Sequence, residues 1–521
     1  MKRYFILIGL VCLTALVSCE PDIEVNDPTG TTPEQTDPEV SDPDTIPATA
    51  FSDNLAIVWD GSSATVSGNV QGVTVTNSNG YVVITSTADS VRYTLSGNGN
   101  GQFKLYSDKA YKLCLAGLTL TCSDGPAINS QCKKKGYVEL TNANTLTDGS
   151  SYATSEEDQK AALFSEGQLI ISGTGTLNVT GNYKHALASD DYIRINAGVL
   201  NITAKVSDGI HVNDGLYING GTITVNAAGD GLQSDSVTIA ITDGTVNITS
   251  VDKGILSQTG TLTVSGGTIT VNTTGSEGKG IKSEGAMSFS GGKTTVICTG
   301  SSSSSWTSAW GPGGGGGPGG NSASGPEGIE SKAAITITGG EVYSYSTDDA
   351  INAGGDLTIS GGLVCAHSAG NDGIDANGNC YIKGGVVYAI GASSPEVAID
   401  VNSEEQKKLY VSGGTLVAVG SLESGAQLSQ TCYKASGSTN TWYAMVVGND
   451  VFAFKTPSSN ASTLVLSGAS KPTLYKGVTP AGTAVFNNTA YYPATYSGGS
   501  SVSLSTYSAS SGGGPGGGGR W

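Results

Sequence analysis

A period of about 22 to 25 residues runs through the middle of the chain and restricts its possible folds more than any other feature. A step from a small residue to an aliphatic one marks the register at Ile128, Leu163, Leu187, Ile210, Leu232, Ile255, Ile281, Ile329, Ile351, Ile374 and Ile399. From Leu163 onward most gaps are 22 to 26 residues. The gap from Ile281 to Ile329 holds two units' worth of chain, including an insert at 301–325 that is rich in Ser, then in Gly and Pro.

Each unit has three parts, as in Asp208–Asn213, Gly215–Gly221 and Thr222–Ala227. Apolar and polar residues alternate in each part with period two, the signature of short strands. Leu216, Ile218, Ile223 and Val225 are expected to point inward, and Tyr217, Asn219 and Thr224 outward. Gly-Gly pairs starting at Gly220, Gly266, Gly291, Gly339, Gly361, Gly384 and Gly413 supply turns. One unit has too few apolar residues to fold alone, whereas stacked units bury a continuous column. Three strands in about 22 residues predict an all-β chain built as a right-handed parallel β-helix. Leucine-rich repeats need an Asn and Leu pattern that is absent. Propeller blades need about twice the period, and the nonapeptide calcium roll needs a shorter one.

The flanks divide the rest. Lys2 and Arg3 precede an apolar run, Tyr4–Val17, too short to span a bilayer, so 1–18 reads as a signal peptide. It closes Leu16-Val17-Ser18-Cys19, a lipobox that predicts cleavage before Cys19 and lipidation of its thiol. Glu20, Asp22 and Glu24 resemble a surface-export signal, so the expected location is the outer membrane, at the cell surface with a periplasm-facing placement as the alternative, and with membrane contact through the lipid alone. Residues 19–50 form an acidic, disordered tether. The β-helix is expected over 51–431, a β cap over 432–511 and a flexible Gly-rich tail over 512–521. The expected state is a monomer.

A net charge of −18 disfavours nucleic acid, whose phosphates it would repel, and suits cation binding. Of nine cysteines, Cys12 leaves with the signal and Cys19 carries the lipid. The other seven include no CxxC pair; most read as small core residues, Cys298 and Cys380 among them. A disulfide from Cys114 to Cys122 or Cys132 is left open.

The stretches SDGIHVNDGLYINGGTITVNAAGDGLQSD, NDGIDANGNCYIKGGVVYAIG, GPGGGGGPGG and GAQLSQ resemble a family of bacterial cell-surface carbohydrate-binding β-helix proteins. The resemblance runs from about Ala110 to Gly477, and its specificity lies in the order of the motifs. It implies a calcium-binding fold, similar to that of polysaccharide lyases, that binds cellulose or pectic polymers without cleaving them. The acidic tether and the tail ending Arg520-Trp521 are not part of that pattern.

Stacking places equivalent residues of neighbouring coils about 4.8 Å apart. Asp349, Asn352, Asp372, Asp375, Asn377, Asp400 and Asn402 then fall on successive coils around the register mark. Carboxylates so close repel unless protonated or bridged by a cation, and this oxygen-rich set suits calcium. The plain alternative is a solvated ladder of turn-forming Asp and Asn. A second candidate calcium patch is Asp208, Asp230 and Asp235, near His211, Asn213 and Asp214. Above it stand Lys253, Lys279 and Lys282, the candidate bases if the chain were a calcium-dependent pectate-type lyase. The plain alternative for them is cross-coil pairing with Glu284, Glu327 and Glu330. The three histidines, His185, His211 and His367, read as far apart in the repeat and without zinc spacing.

Tyr343 and Tyr388 share one outward column, and Tyr381 and Tyr410 the next, with Tyr217 lower; these are the candidate sugar-stacking residues. Trp306 and Trp310 lie in the insert and suggest a closing or adhesive loop. The reading is a surface-anchored lipoprotein that binds a cellulose- or pectin-like, acidic polysaccharide with calcium. The alternatives are a pectate-type lyase and an adhesive protein with no sugar ligand.

Overall fold

The computed structural model describes residues 50–301 and 325–509. Alternation of apolar and polar residues dictates its architecture. Leu216, Ile218, Ile223 and Val225 are at most 1% exposed, while Tyr217 is half-buried and Thr224 is exposed. A single column of such residues runs from Leu55 to Leu422.

The coils stack in strictly parallel register. In one ladder the marks pair in sequence, from Ile128 with Leu163 through Ile210 with Leu232 to Ile351 with Ile374. Isolated bridges carry it on through Ile399 to Leu422, giving a β-solenoid of about twelve turns. Two further parallel ladders complete each coil, exemplified by Gly215–Ile218 and Thr222–Ala227. Ile281 pairs directly with Ile329, so the long gap holds one coil plus the insert rather than two coils. The expected all-β parallel helix is the observed fold. Among the described residues no helix is long and apolar enough to cross a membrane.

Glycine sets how closely coils approach. A Cβ on Gly254 would stand 2.1 Å from Val271 Cγ1 and 2.5 Å from the Gly280 carbonyl oxygen. Of the pair Gly266-Gly267, the second residue has φ +77°, which an L side chain resists.

At the N-terminal end Asp53–Gly61 pairs antiparallel with Ser63–Ser67 and parallel with Val91–Asn100. Trp59 is buried there, and its indole N–H donates to the Gly80 carbonyl at 2.8 Å. At the other end Thr463–Ser467 runs antiparallel to Thr415–Val419 and halts one ladder. Trp442–Val447, Asp450–Lys455, Thr473–Val485 and Ala490–Val502 then close a four-stranded antiparallel barrel.

This barrel folds against the outer face of the last coils. Tyr343, Cys365, Tyr388, Val417 and Val419 share a core with Tyr443, Phe452, Phe454, Leu474 and Phe486. Two expected sugar-stacking residues are therefore corrected. Tyr343 and Tyr388 point away from the solenoid axis, as read, but are 5% and 0% exposed. The Tyr388 hydroxyl donates to the Lys455 carbonyl at 2.8 Å, so the column is glue for the barrel and cannot meet a polymer. Cys114, Cys122, Cys132, Cys298, Cys365, Cys380 and Cys432 are all free and buried. The signal peptide, Cys19, the tether, Trp306, Trp310 and the Gly-rich tail lie outside the described residues.

Candidate functional site

The residue two before each register mark stands where the chain turns into the first strand of a coil. Where that residue is Asp, its side chain serves the coil above. Asp349 Oδ1 accepts the amide N–H of Asp372 at 3.1 Å, and Asp372 Oδ1 accepts that of Val397 at 2.6 Å. Lower in the stack, Asp208 Oδ1 takes the Asp230 amide at 2.9 Å and Asp230 Oδ1 the Lys253 amide at 2.7 Å. One oxygen of each carboxylate is thus structural, and the other is left to face its neighbours.

Those neighbours are mostly acidic. Burial, then the charges of Asp375, Asp348 and Asp372, push the Asp349 carboxyl up to about 9. Burial, Glu396 and Asp375 push Asp372 up to about 7. Asp375 is raised by burial and by Asp348. Asp400 is raised by burial and by the neighbouring Glu423 carboxyl. Glu327 is raised by burial, against the pull of Lys279. Burial and mutual repulsion thus raise acids on successive coils together.

The amides contribute unequally. Asn352 donates to Glu327 and to Asp349, both at 3.4 Å. Asn402 accepts from the Glu405 amide and so caps the short 3-10 turn Ser403–Glu405. Asn377 is exposed. Glu423 was not singled out from sequence because the register marks were followed only to Ile399; one coil further, Leu422 bridges Ile399 and Glu423 follows it.

The donor set fits a hard cation in chemistry: carboxylate and amide oxygens, and no thiol or imidazole. It does not form a closed cage. Among the described residues, one group of three ligand-type side chains brings its donor atoms within 4.8 Å of one another, and it lies elsewhere, at His185, Asp208 and His211. A cation on the acidic column would have coordination positions left for a ligand's own oxygens.

The second patch is divided. Asp208 is low in pKa despite its burial, because His185 and His211 stand against it. Burial and the charges of Asp208 and Asp252 push Asp230 up to about 7. Asp235 accepts from Gln233 at 2.7 Å and lies 3.4 Å from His211 Nε2. His185 and His211, read as distant, are neighbours with ring centroids 4.2 Å apart. His185 stands two before Leu187, in the same column as Asp208, and counting the column would have found it.

The lysines are paired. Lys253 Nζ lies 2.7 Å from Asp252, which holds the ammonium charged against its burial. Lys279 is buried, donating to the Gly325 carbonyl at 2.6 Å and facing Glu327 at 3.3 Å. Lys282 bridges Glu284 at 3.1 Å and Glu330 at 3.8 Å. Lys279–Glu327 and Lys282–Glu330 are cross-coil pairs of the plain reading, while Lys253–Asp252 and Lys282–Glu284 lie within one coil; a base needs a free lone pair.

Tyr381 and Tyr410 pair in register and stack on each other, centroids 5.0 Å apart and planes 11° from parallel. Each ring covers a face of the other, and Lys383 Nζ lies 4.7 Å from the Tyr381 centroid. Both tyrosines are half-buried, and Gln427 pairs with Tyr410 on the next coil. Beyond the acidic column, a crevice of about 270 Å³ separates the last coils from the C-terminal strands, lined by Ser393, Glu396, Lys434, Asn460 and Tyr507 among others. Its Glu396 is the residue whose charge raises Asp372.

A family model described as "carbohydrate-binding domain-containing protein" matches residues 78–373, more than half of the chain. No curated protein matches. Among solved structures, a polysaccharide lyase-like protein from C. thermocellum, in a gadolinium derivative, is similar over 48% of this chain and 92% of its own, at 22% identity and a TM-score of 0.35.

Proposed function

The chain belongs to the carbohydrate-binding domain-containing family, and on that premise we propose that it is a surface-tethered protein that holds acidic, pectin-like polysaccharide through calcium on the Asp349–Asp400 column. The observation that carries this reading is the crowding of Asp349, Asp372, Asp375 and Asp400, whose carboxyls are all raised by burial and by neighbouring acids, a repulsion that a cation among them would relieve. Calcium takes six to eight oxygens. A column that offers fewer at any one point leaves positions that the carboxylate and hydroxyls of a uronate complete. Polymer and cation would then bind together, and the repeat of the coils would let one chain engage several positions. The adjoining crevice, with its hydroxyls, Asn460 and Lys434, supports a further sugar contact. The lipobox at Cys19 and the tether support anchoring at the outer surface. The engaged lysines favour binding over cleavage.

The test is retention of the full chain on insoluble polygalacturonate and on cellulose, each with calcium and with chelator, while ultraviolet absorbance reports any unsaturated product. Retention on polygalacturonate that needs calcium, with flat absorbance, is the expected result. Equal retention with chelator, retention on cellulose alone, or none on either polymer overturns the calcium-bridged reading. Rising absorbance replaces it with a lyase.

A further inference from the structure

Outside the acidic column, the fold brings two imidazoles and a carboxylate to one point. His185 opens the strand His185–Ser189, and His211 is the middle residue of Ile210–Val212 on the next coil. Asp208 lies in the turn just before that strand. Asp208 Oδ2 is 3.0 Å from His185 Nδ1 and 3.1 Å from His211 Nδ1, and the three donor atoms lie within 4.8 Å of one another.

Two details separate this group from an ordinary hydrogen-bonded cluster. First, His185 is 2% exposed, yet neither of its ring nitrogens has a hydrogen-bond partner. Its Nδ1 is close to Asp208 Oδ2 but out of line for donation. Buried polar atoms are rarely left so. Ligands of one ion stand in this relation: near each other, each aimed at a shared centre. Second, the supporting contacts are those a metal site uses. Asp208 Oδ1 is tied to the Asp230 amide, which fixes the carboxylate and frees Oδ2. His211 Nε2 faces Asp235 at 3.4 Å, and Gln233 holds Asp235 from its other oxygen at 2.7 Å. His211 Nδ1 shares a hydrogen bond with Asp208 Oδ2 at 3.1 Å; a carboxylate near the far nitrogen favours the tautomer in which Nδ1 presents a lone pair to an ion in that bond's place.

We propose that His185, Asp208 and His211 form a site for a divalent transition metal of the zinc class, distinct from the acidic column. Two imidazole nitrogens select such an ion over calcium, which takes oxygen ligands. Three protein ligands leave a fourth tetrahedral position open. The site is reached past Asp235, whose side chain is 38% exposed. The inference stands independently of the polysaccharide reading.

The test uses the tag-free full chain. The chain has only three histidines, and His367 sits many coils away in a different ladder, so a signal from two imidazoles on one ion identifies this pair. Copper(II) added at one equivalent should give an electron paramagnetic resonance spectrum with hyperfine splitting from two nitrogens. Zinc should bind at one equivalent, unaffected by excess calcium. His211→Ala and Asp208→Asn should each weaken zinc by at least the roughly 10–100-fold that loss of a mere supporting partner costs. Copper coupled to one nitrogen or none overturns the proposal, and needs no variant to fold. Zinc affinity unchanged in a folded His211→Ala chain, or zinc displaced by calcium, overturns it equally.

Discussion

Asp349 hands its Oδ1 to the amide of Asp372, the residue that occupies its own place one coil along, at 3.1 Å. Asp372 does the same for Val397 at 2.6 Å. Acid at this position is therefore a structural acceptor and a candidate ligand at once. Asparagine keeps the acceptor and removes the charge; alanine removes both. Asp372→Ala should cost about 1–3 kcal/mol, the penalty for a buried donor left unpaired, whereas Asp372→Asn should unfold at or above the wild-type midpoint. Urea unfolding of the two variants in chelator distinguishes them, and equal losses would contradict the acceptor role.

The raised carboxyls make stability depend on pH in a definite direction. Asp349 is held at about 9 and Asp372 at about 7 in the folded chain, well above the ordinary carboxylate value that the unfolded chain has. Between those values the folded state binds more protons than the unfolded one, so stability falls as pH rises. The contribution is complete at acid pH and is lost as pH climbs through 7 toward 9. In chelator, the melting temperature should drop between about pH 5 and about pH 9, the window between the ordinary and the raised carboxyl values. With calcium the drop should largely vanish. Thermal melts across this range check both parts, and a rise with pH in chelator would contradict the account.

Tyr388 is fully buried between the solenoid and the barrel, in contact with Phe452 and Phe454. Tyr388→Ala should destabilise the chain by about 3–5 kcal/mol, as large-to-small aromatic changes do, and should leave polymer retention unchanged wherever the protein remains folded. Chemical denaturation and retention measured on one preparation separate the two effects. Lost retention in a folded variant would return Tyr388 to the binding surface.

Gly254 sits where two coils meet, with room for no side-chain atom. Gly254→Ala should cost about 1–3 kcal/mol through overpacking against Val271 and the Gly280 carbonyl. Gly425, whose Cβ would meet nothing within 4 Å, tests the other glycine cost, since its φ of +77° alone strains an alanine. Unfolding midpoints of the two variants should therefore differ, the solenoid glycine being the more sensitive.

The solenoid was legible because every coil repeats the same demand: a period-two strand, a glycine turn, an inward aliphatic. Ile210, Leu232 and Ile255 each carry it, and the errors of any one unit are outvoted by its neighbours. The burial of Tyr343 and Tyr388 was not legible, because it depends on a barrel formed by segments, 442–502, that lack the period. Alternation shows that a side chain leaves the axis; it cannot show what docks on it. The lysine pairs were legible from alternating sign at Lys282, Glu284 and Glu330. The His185–His211 pair was missed for the opposite reason: the histidines were compared by distance along the chain, whereas a solenoid brings together residues one coil apart.

The central claim is that calcium on the Asp349–Asp400 column holds the polymer. Calorimetric titration of soluble oligogalacturonate into the calcium-loaded full chain, beside an Asp375→Asn, Asp400→Asn double variant, tests it most directly. The account predicts binding to the wild type that chelator abolishes, and a loss of at least about tenfold, or roughly 1.4 kcal/mol, in a variant that melts like the wild type. Equal affinity in the two chains, or binding that survives chelation, would contradict it.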